Sequence, residues 1–190
     1  MKKLSFIGFM GLSFFAFSQN IKVDEERKNT DKTLLVPADH SELDAKRKAA
    51  EEKAQLPKPY DPKADAEKDI ANLIAKAKKE KKNIIIQAGG NWCIWCLRFN
   101  QYVQTTPDLK NIVDKNYEYY HLNYSPDNKN EKVFSQYGNP GEKYGYPVFI
   151  ILDQNGKMIH IQPSDVLEEG KGYSLEKVKE FFNKWTPKRS

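Results

Sequence analysis

Residues 84–96 constrain the fold of this 190-residue chain more than any other segment. Three consecutive isoleucines at 84–86 predict a short buried β-strand, because β-branched side chains favour extended, packed backbone. A turn with two glycines follows at residues 88–91, and apolar residues beyond Cys96 recur with helical spacing. A buried strand therefore passes through a tight turn directly into a helix, and Cys93 and Cys96 lie at the entrance of that helix.

The pattern on both sides of this segment predicts an α/β fold with a small mixed β-sheet. A helix precedes the first strand, with apolar residues at i, i+4, i+7, i+8 and i+11 from Ala66. Further strands are predicted at residues 117–124, 147–152 and 157–162. Strands joined through helices run parallel and hairpin strands run antiparallel, so about four strands form a mixed sheet flanked by helices. Loops are expected at residues 138–141 and around Gly170 and Gly172.

The first 18 residues have the pattern of a cleavable secretory signal peptide. Two lysines precede an apolar run at residues 4–17, and Ala16 and Ser18 fit the small-residue positions before a cut after Ser18. The alternative is an uncleaved anchor, for which the run is short. We therefore expect a periplasmic or secreted protein, without stable membrane insertion after cleavage, in a compartment where disulfides persist.

Residues 19–62 are predicted to form a polar extension before a globular domain at residues 63–190. Ser41 is the predicted N-cap of a helix that ends at Gln55, and its few large apolar residues limit the surface it can bury. The proline-rich segment at residues 56–62 predicts a stiff linker, because proline excludes helix and favours extended backbone.

The charge distribution does not favour nucleic-acid binding. The formal net charge is +5, and it falls to +3 when the signal peptide removes two lysines and no acids. Lysine and glutamate interleave through residues 42–82, where they form no basic stripe with aromatic residues between the charges. We therefore expect no nucleic-acid partner.

The helix entrance favours redox chemistry at Cys93. Unpaired N–H groups and the partial positive charge of the first turn stabilise a thiolate there, which lowers the thiol pKa from its free value of about 8.5. Cys93 is the predicted exposed residue, and Cys96 lies about one turn deeper. Cys93 can then attack a substrate disulfide, and Cys96 can resolve the mixed disulfide by forming a 93–96 bond.

Other uses of the two cysteines are less favoured. A structural disulfide across so short a loop removes little entropy from the unfolded chain. Zinc requires about four ligands, and the three histidines, His40, His121 and His160, are scattered along the sequence. Covalent haem attachment requires a histidine directly after the second cysteine, where this chain has Leu97. We therefore expect a redox-active disulfide with no metal and no organic cofactor.

Two stretches of the chain resemble the thioredoxin superfamily. Residues 84–96, IIIQAGGNWCIWC, are similar to the active-site strand and loop of the family, and residues 144–157, YGYPVFIILDQNGK, to its cis-proline strand and hairpin. The resemblance covers about residues 63–186 and is to secreted thioredoxin-like and disulfide-reductase domains. It implies a thioredoxin-like fold and thiol–disulfide oxidoreductase activity, with protein thiols and disulfides as substrates and an upstream redox partner protein.

The resemblance also implies roles for individual residues. Cys93 would be the attacking cysteine, Cys96 the resolving cysteine, and Pro147 the cis-proline that faces them. Without the resemblance, Pro147 would be a trans proline at the start of a strand. The backbone of Tyr146 would pair with an extended substrate segment, and Trp92 would shield the site.

The chain departs from the family pattern at four positions near the cysteines. Ile94 and Trp95 replace the usual Gly-Pro, a bulky pair that can contact a partner or alter the reduction potential. Gln87 occupies the position of the family's buried acid and is one candidate for a proton relay, although its amide cannot itself take a proton at working pH. His121 stands where many relatives have a lysine and is a candidate proton relay, since histidine titrates near neutrality. The alternative for His121 is a hydrogen-bonded residue of the sheet.

The direction of electron flow is not fixed by these residues, and reduction is favoured only by the type of relative. Two other functions stay open. One is a non-catalytic peptide-binding module that uses Trp92, Trp95 and Pro147. The other is an accessory module of an envelope complex, docked through the helix at residues 41–55.

Overall fold

The computed structural model describes residues 40–188. The predicted signal peptide at residues 1–18 and the first part of the polar extension lie outside these residues. The described residues from Ser41 onward belong to one compact unit. Over residues 40–188, none of the helices has both the length and the apolar character needed to cross a bilayer.

The described part of the chain contains seven α-helices, six β-strands and one short 3₁₀-helix. The helices are α1 (His40–Gln55), α2 (Ala66–Glu80), α3 (Ile94–Thr105), α4 (Pro107–Asn116), α5 (Glu131–Gln136), α6 (Pro140–Tyr144) and α7 (Leu175–Lys184). The strands are β1 (Asn83–Gly89), β2 (Tyr117–Asn123), β3 (Val148–Leu152), β4 (Met158–Pro163), β5 (Glu168–Glu169) and β6 (Gly172–Tyr173), and the 3₁₀-helix is Asp165–Leu167.

The central sheet has four strands in the order β2-β1-β3-β4. β1 and β2, which are connected through α3 and α4, run parallel, with Gln87 opposite His121. β3 runs antiparallel to β1, with Phe149 opposite Gln87, and β4 runs antiparallel to β3. The predicted mixed sheet of about four strands flanked by helices is therefore confirmed.

The sheet separates two hydrophobic cores. Ile84 and Ile86 belong to the core beneath α2 and α5, whereas Ile85 belongs to the core beneath α3, α4 and α7. Every residue of β1 is buried, because helices cover the strand on both faces. Burial of one such side chain contributes about 1.5–3 kcal/mol, so β1 is a firm base for the turn that follows it.

The segment before α2 makes specific contacts with the rest of the domain. α1 is mostly exposed and begins at His40, so Ser41 lies inside the helix and not at its N-cap. The Arg98 side chain on α3 donates two hydrogen bonds, of 2.7 and 2.6 Å, to the Glu52 carboxylate on α1. Tyr60, in the predicted linker, is only 1% exposed. The domain boundary after residue 62 stays a prediction, but Tyr60 belongs to the packed interior.

Three local predictions differ from the structure. α6 occupies residues predicted as a loop, because Pro140 at its first turn supplies a backbone angle suited to helix. β5 and β6, with two residues each, form a small antiparallel hairpin where a loop around Gly170 and Gly172 was predicted. β1 continues through Gly89, which was assigned to the turn. α6, β5 and β6 are too short for the spacing of their apolar residues to predict them from the sequence.

Candidate active site

Cys93 and Cys96 form a disulfide at the entrance of α3, with their Cα atoms 5.3 Å apart. Cys93 is the N-cap residue of α3, and its Sγ accepts a hydrogen bond from the backbone N–H of Cys96 at 3.1 Å. A helix N-terminus has unpaired N–H groups and a partial positive charge. After reduction, the same N–H and the helix end would stabilise a Cys93 thiolate.

Gly89 and Gly90 lie where the backbone passes so close to other atoms that no side chain would fit. A Cβ atom at Gly89 would lie 2.5 Å from Cys96 Sγ, and one at Gly90 would lie 2.7 Å from the carbonyl oxygen of Tyr124. The Cys93 N–H then donates to the carbonyl of Gly90 at 3.0 Å, which closes the turn. The two glycines let the disulfide and β2 approach the backbone of β1.

The two sulfur atoms differ less in exposure than the sequence predicts. Cys93 is 6% exposed and Cys96 is fully buried. Cys93 is therefore the outer residue only relative to Cys96. Tyr60, Trp95 and Tyr146 pack against the cysteines.

The cis-proline predicted from the resemblance is present. The peptide bond between Tyr146 and Pro147 is cis, and Pro147 is buried at the start of β3. The carbonyl oxygen of Tyr146 lies 3.6 Å from Cys93 Sγ. A disulfide sulfur carries no proton, so this is a van der Waals contact, and it places the Tyr146 backbone directly beside the outer sulfur.

A group of aromatic side chains lies beside Cys93. Trp92 is 47% exposed, and its Nε1–H donates to the carbonyl of Tyr124 at 2.6 Å. The Trp92 ring meets the Tyr146 ring edge-on at 5.6 Å, and Tyr146 stacks on Tyr124 at 5.4 Å. A Cβ atom at Gly141 would overlap the Tyr146 ring, so α6 packs closely beneath this group. Trp92 is thus held over the site while much of its ring faces solvent.

The bulky pair between the cysteines is half-buried. The Arg98 guanidinium lies 5.1 Å from the centre of the Trp95 ring, and the Tyr173 ring meets it edge-on at 5.7 Å. The Tyr173 hydroxyl also donates to the carbonyl of Trp95 at 3.1 Å. Trp95 is therefore fixed against the domain.

Gln87, at the position of the family's buried acid, supports the first turn of α3. Its Nε2 donates to the carbonyl of Cys96 at 3.0 Å, and its Oε1 accepts from the Tyr119 hydroxyl at 2.7 Å. Both ends of the amide are engaged. Gln87 thus has the geometry of an anchor for Cys96, and the proton-relay role stays an untested prediction.

His121 lies beside Gln87 on β2, but it does not match either expectation for its chemistry. Burial lowers the pKa of His121 to about 4, so the ring is neutral near pH 7 and does not titrate there. Its Nε2 is buried without a hydrogen-bond partner, so this atom is not satisfied within the sheet. The ring instead packs edge-on against Tyr60, with the ring centres 5.1 Å apart.

Tyr60 and Asn91 belong to the site and were not identified from the sequence. The Tyr60 N–H donates to Asn91 Oδ1 at 3.2 Å, and Asn91 Nδ2 donates to the carbonyl of Tyr60 at 2.7 Å. These two bonds join the segment before α2 to the active-site turn. A single aromatic residue between Pro59 and Pro62 in a polar stretch was the available signal.

The described residues contain no obvious metal centre, since no three His, Cys, Asp or Glu side chains within residues 40–188 are grouped as ligands.

The comparisons with known proteins agree with this geometry. The sequence model of a family described as thioredoxin-like matches residues 65–154. No curated protein sequence matches the chain. The crystal structure of a disulphide isomerase from Xylella fastidiosa Temecula1 is similar, with 23% identity over 68% of this chain and 97% of that chain and a TM-score of 0.60.

Two further structures match with lower TM-scores. The C-terminal domain of Neisseria meningitidis DsbD in the oxidised form is 17% identical over 64% of this chain and 97% of that chain, with a TM-score of 0.47. A DsbH oxidoreductase is 20% identical over 60% and 81% of the two chains, with a TM-score of 0.43. The family model therefore matches residues 65–154, and the described residues have a thioredoxin-like fold.

Proposed function

We propose that this protein is an extracytoplasmic thiol–disulfide oxidoreductase that exchanges disulfides with protein substrates through Cys93 and Cys96. One observation carries the proposal. Cys93 Sγ lies at the N-cap of α3, where it accepts the N–H of Cys96, and it contacts the carbonyl of Tyr146 beside Pro147. The outer sulfur therefore has both a feature that stabilises its anion and an adjacent backbone against which a substrate can lie.

In the reductive direction, the Cys93 thiolate attacks one sulfur of a substrate disulfide. The substrate S–S bond breaks, the second substrate sulfur leaves as a thiolate, and a mixed disulfide with Cys93 forms. Cys96 then loses its proton and attacks Cys93 Sγ, which forms the 93–96 bond and releases the first substrate sulfur. Two electrons pass from the cysteine pair to the substrate, and a dithiol partner protein must reduce the pair for another turnover.

The surface beside Pro147 supports recognition of an extended peptide. A substrate strand that pairs with the backbone of Tyr146 would bring its disulfide to Cys93, which is the geometry of β-strand addition. The exposed face of Trp92 would cover one side of the bound segment. Because Cys93 is only 6% exposed, we expect flexible or unfolded substrates to react faster than compact ones.

The compartment and the cofactor requirement belong to the same proposal. The apolar run with its preceding lysines and small residues near Ser18 supports export, which would place the enzyme where substrate disulfides form. The two sulfur atoms carry the two electrons themselves, so the reaction as written uses no metal and no organic cofactor.

Turnover of a protein disulfide tests the proposal. With dithiothreitol as the reductant, we expect wild-type protein to accelerate insulin reduction and the Cys93→Ser variant to have no activity above background. The Cys96→Ser variant should instead accumulate a mixed disulfide through Cys93, which mass spectrometry detects. Equal, negligible turnover by wild type and Cys93→Ser would favour the peptide-binding module. The reduction potential of the pair would then assign the direction of exchange.

A further inference from the structure

Among the described residues, two buried polar side-chain atoms make no hydrogen bond of good geometry. They are Tyr60 Oη and His121 Nε2, on side chains whose rings contact each other. Buried hydroxyl groups nearly always have a hydrogen-bond partner, so the Tyr60 hydroxyl is available to an acceptor that forms when the disulfide opens. The oxidised form described here is one of two states that a redox-active pair must visit.

The Tyr60 hydroxyl and the inner sulfur atom lie next to the same residue of β1. Tyr60 packs directly with Cys93 and Cys96 in one buried cluster. At Gly89, the position of a Cβ atom would be 2.5 Å from Cys96 Sγ and 3.0 Å from Tyr60 Oη. The sulfur and the hydroxyl therefore both lie close to Gly89, and the side chain of any larger residue there would collide with them.

The Gln87 amide and the backbone N–H of Cys96 already have partners. Gln87 bonds the Cys96 carbonyl and the Tyr119 hydroxyl, and its interaction with the Tyr60 hydroxyl is weaker than these two bonds. The N–H of Cys96 itself points to Cys93 Sγ. A thiolate at Cys96 would need a further donor, because a buried charge without one is strongly disfavoured. Tyr60 is the hydroxyl-bearing residue in the same buried cluster as the two cysteines.

We propose that Tyr60 donates a hydrogen bond to Cys96 Sγ whenever the disulfide opens, and that the segment before the thioredoxin-like domain thereby completes the active site. This inference rests on the proposed function. An incoming thiolate attacks Cys93 Sγ, the 93–96 bond breaks, and its electron pair remains on Cys96 Sγ, to which the hydroxyl donates. The proton stays on Tyr60 throughout, and in the reverse step the stabilised thiolate attacks Cys93 Sγ again.

Two features of Tyr60 suit this role. A disulfide sulfur is a weak acceptor and a thiolate a strong one, which accounts for a hydroxyl that is unpaired in the oxidised form. Burial raises the pKa of Tyr60 well above its usual value, so the hydroxyl keeps its proton and can only donate to an anion. The two bonds between Asn91 and the Tyr60 backbone hold the ring in place.

The Tyr60→Phe substitution tests the inference, because it removes the hydroxyl and keeps the ring. Losing the donor destabilises the reduced form, so the equilibrium constant for reduction by glutathione should fall about tenfold, as expected for a hydrogen bond to a charged group. For a two-electron couple, that change makes the reduction potential about 30 mV more negative. Tyr120→Phe is the matched control, since its hydroxyl bonds Asp69 and its ring packs in the other core.

A second measurement separates a local effect from poor folding. In a Cys93→Ser background, the lone Cys96 thiol can be titrated by the ultraviolet absorbance of its thiolate, with and without Tyr60→Phe. We expect the thiol to titrate about one pH unit higher when the hydroxyl is absent, while circular dichroism stays the same.

Each outcome decides between the two ideas. If Tyr60→Phe and wild type have the same potential and Cys96 titrates at the same pH in both backgrounds, the role of Tyr60 is wrong and the proposed function stands. If wild-type protein does not exchange electrons with glutathione at all, the proposed function itself is wrong, and the role of Tyr60 with it.

Discussion

The two sulfur atoms of one disulfide lie in different kinds of surroundings. The outer sulfur of Cys93 contacts backbone groups, namely the N–H of Cys96 and the carbonyl of Tyr146. The inner sulfur of Cys96 is enclosed by side chains, among them Tyr60, and lies close to Gly89. Backbone groups are supplied by the fold itself, whereas side chains can differ between members of one fold. The comparison suggests that the fold sets the reactivity of the outer sulfur and that individual side chains adjust the inner one.

Filling the space at Gly89 should disturb the inner surroundings most. In the Gly89→Ala variant, the new methyl group would meet Cys96 Sγ at 2.5 Å and Tyr60 Oη at 3.0 Å, so the strand or the helix entrance must shift. We expect a loss of about 3 kcal/mol in the free energy of unfolding, at the upper end for overpacking a core. Urea denaturation of the oxidised protein measures it.

Gly172→Ala is the matched control for this experiment. Gly172 also lies in a β-strand, but a Cβ atom there would have no neighbour within 4 Å, so its substitution should be close to neutral. If both variants unfold at the same urea concentration as wild type, the inner surroundings are looser than the distances indicate.

The surroundings of the outer sulfur, on Cys93, can be predicted from local sequence much better than those of the inner sulfur, on Cys96. The isoleucine strand, the glycine turn, the position of Cys93 and the hairpin after Pro147 are all contained in two short stretches of sequence. Within such stretches, backbone preferences and apolar patterns determine the structure, and the predicted strands and the cis-proline are present, although β1 extends into the predicted turn. The exposure of Cys93 was overestimated, because it depends on how closely Trp95 and Tyr146 pack around it.

The inner surroundings could not be predicted in the same way, because distant segments supply their side chains. Tyr60 is separated by 31 positions from Asn91, with which it bonds, and nothing in its proline-flanked sequence indicates burial. The position of His121 opposite Gln87 follows from the register of β1 and β2, whereas its pKa depends on desolvation by burial. Burial is a property of the assembled core, so the sequence alone could not show how far it lowers the pKa of His121.

Acid should therefore destabilise the protein through His121. The folded-state pKa of His121 is about 4, below the value of about 6.5 in an unfolded chain. The unfolded state takes up the proton first, so stability is full above pH 6.5 and falls as the pH approaches 4. With an allowance for the partial exposure of the ring, we expect a loss of about 2 kcal/mol between pH 7 and pH 4.5.

The His121→Phe variant isolates this contribution because it keeps a ring against Tyr60. Between pH 7 and pH 4.5, the free energy of unfolding of the variant should fall by about 2 kcal/mol less than that of the wild-type protein. Between pH 7 and pH 8, the histidine is neutral in both states, so the two proteins should respond alike. The turnover profile of the variant between pH 6 and pH 8 should match wild type, and a shifted profile would restore the proton-relay hypothesis.

The smallest effect is expected where α1 contacts α3, since Glu52 and Arg98 touch neither sulfur. The hydrogen bond from Arg98 lowers the pKa of Glu52, so this pair stabilises the protein above the ordinary glutamate pKa and loses its effect as the pH falls below it. The Glu52 side chain is 42% exposed, and solvent screening limits the pair to about 0.5–1 kcal/mol. Glu52→Gln should reduce the free energy of unfolding by that amount at pH 7 and leave the reduction potential unchanged.

Glu51→Gln is the natural control for Glu52→Gln, because Glu51 lies on the same helix and its contact with Arg47 is longer, at 3.8 Å. It should change stability by less than Glu52→Gln in the same denaturation experiment. A changed potential in Glu52→Gln alone would mean that α1 also influences the cysteines. The contrast between backbone-defined and side-chain-defined surroundings would then extend beyond the residues that touch the two sulfur atoms.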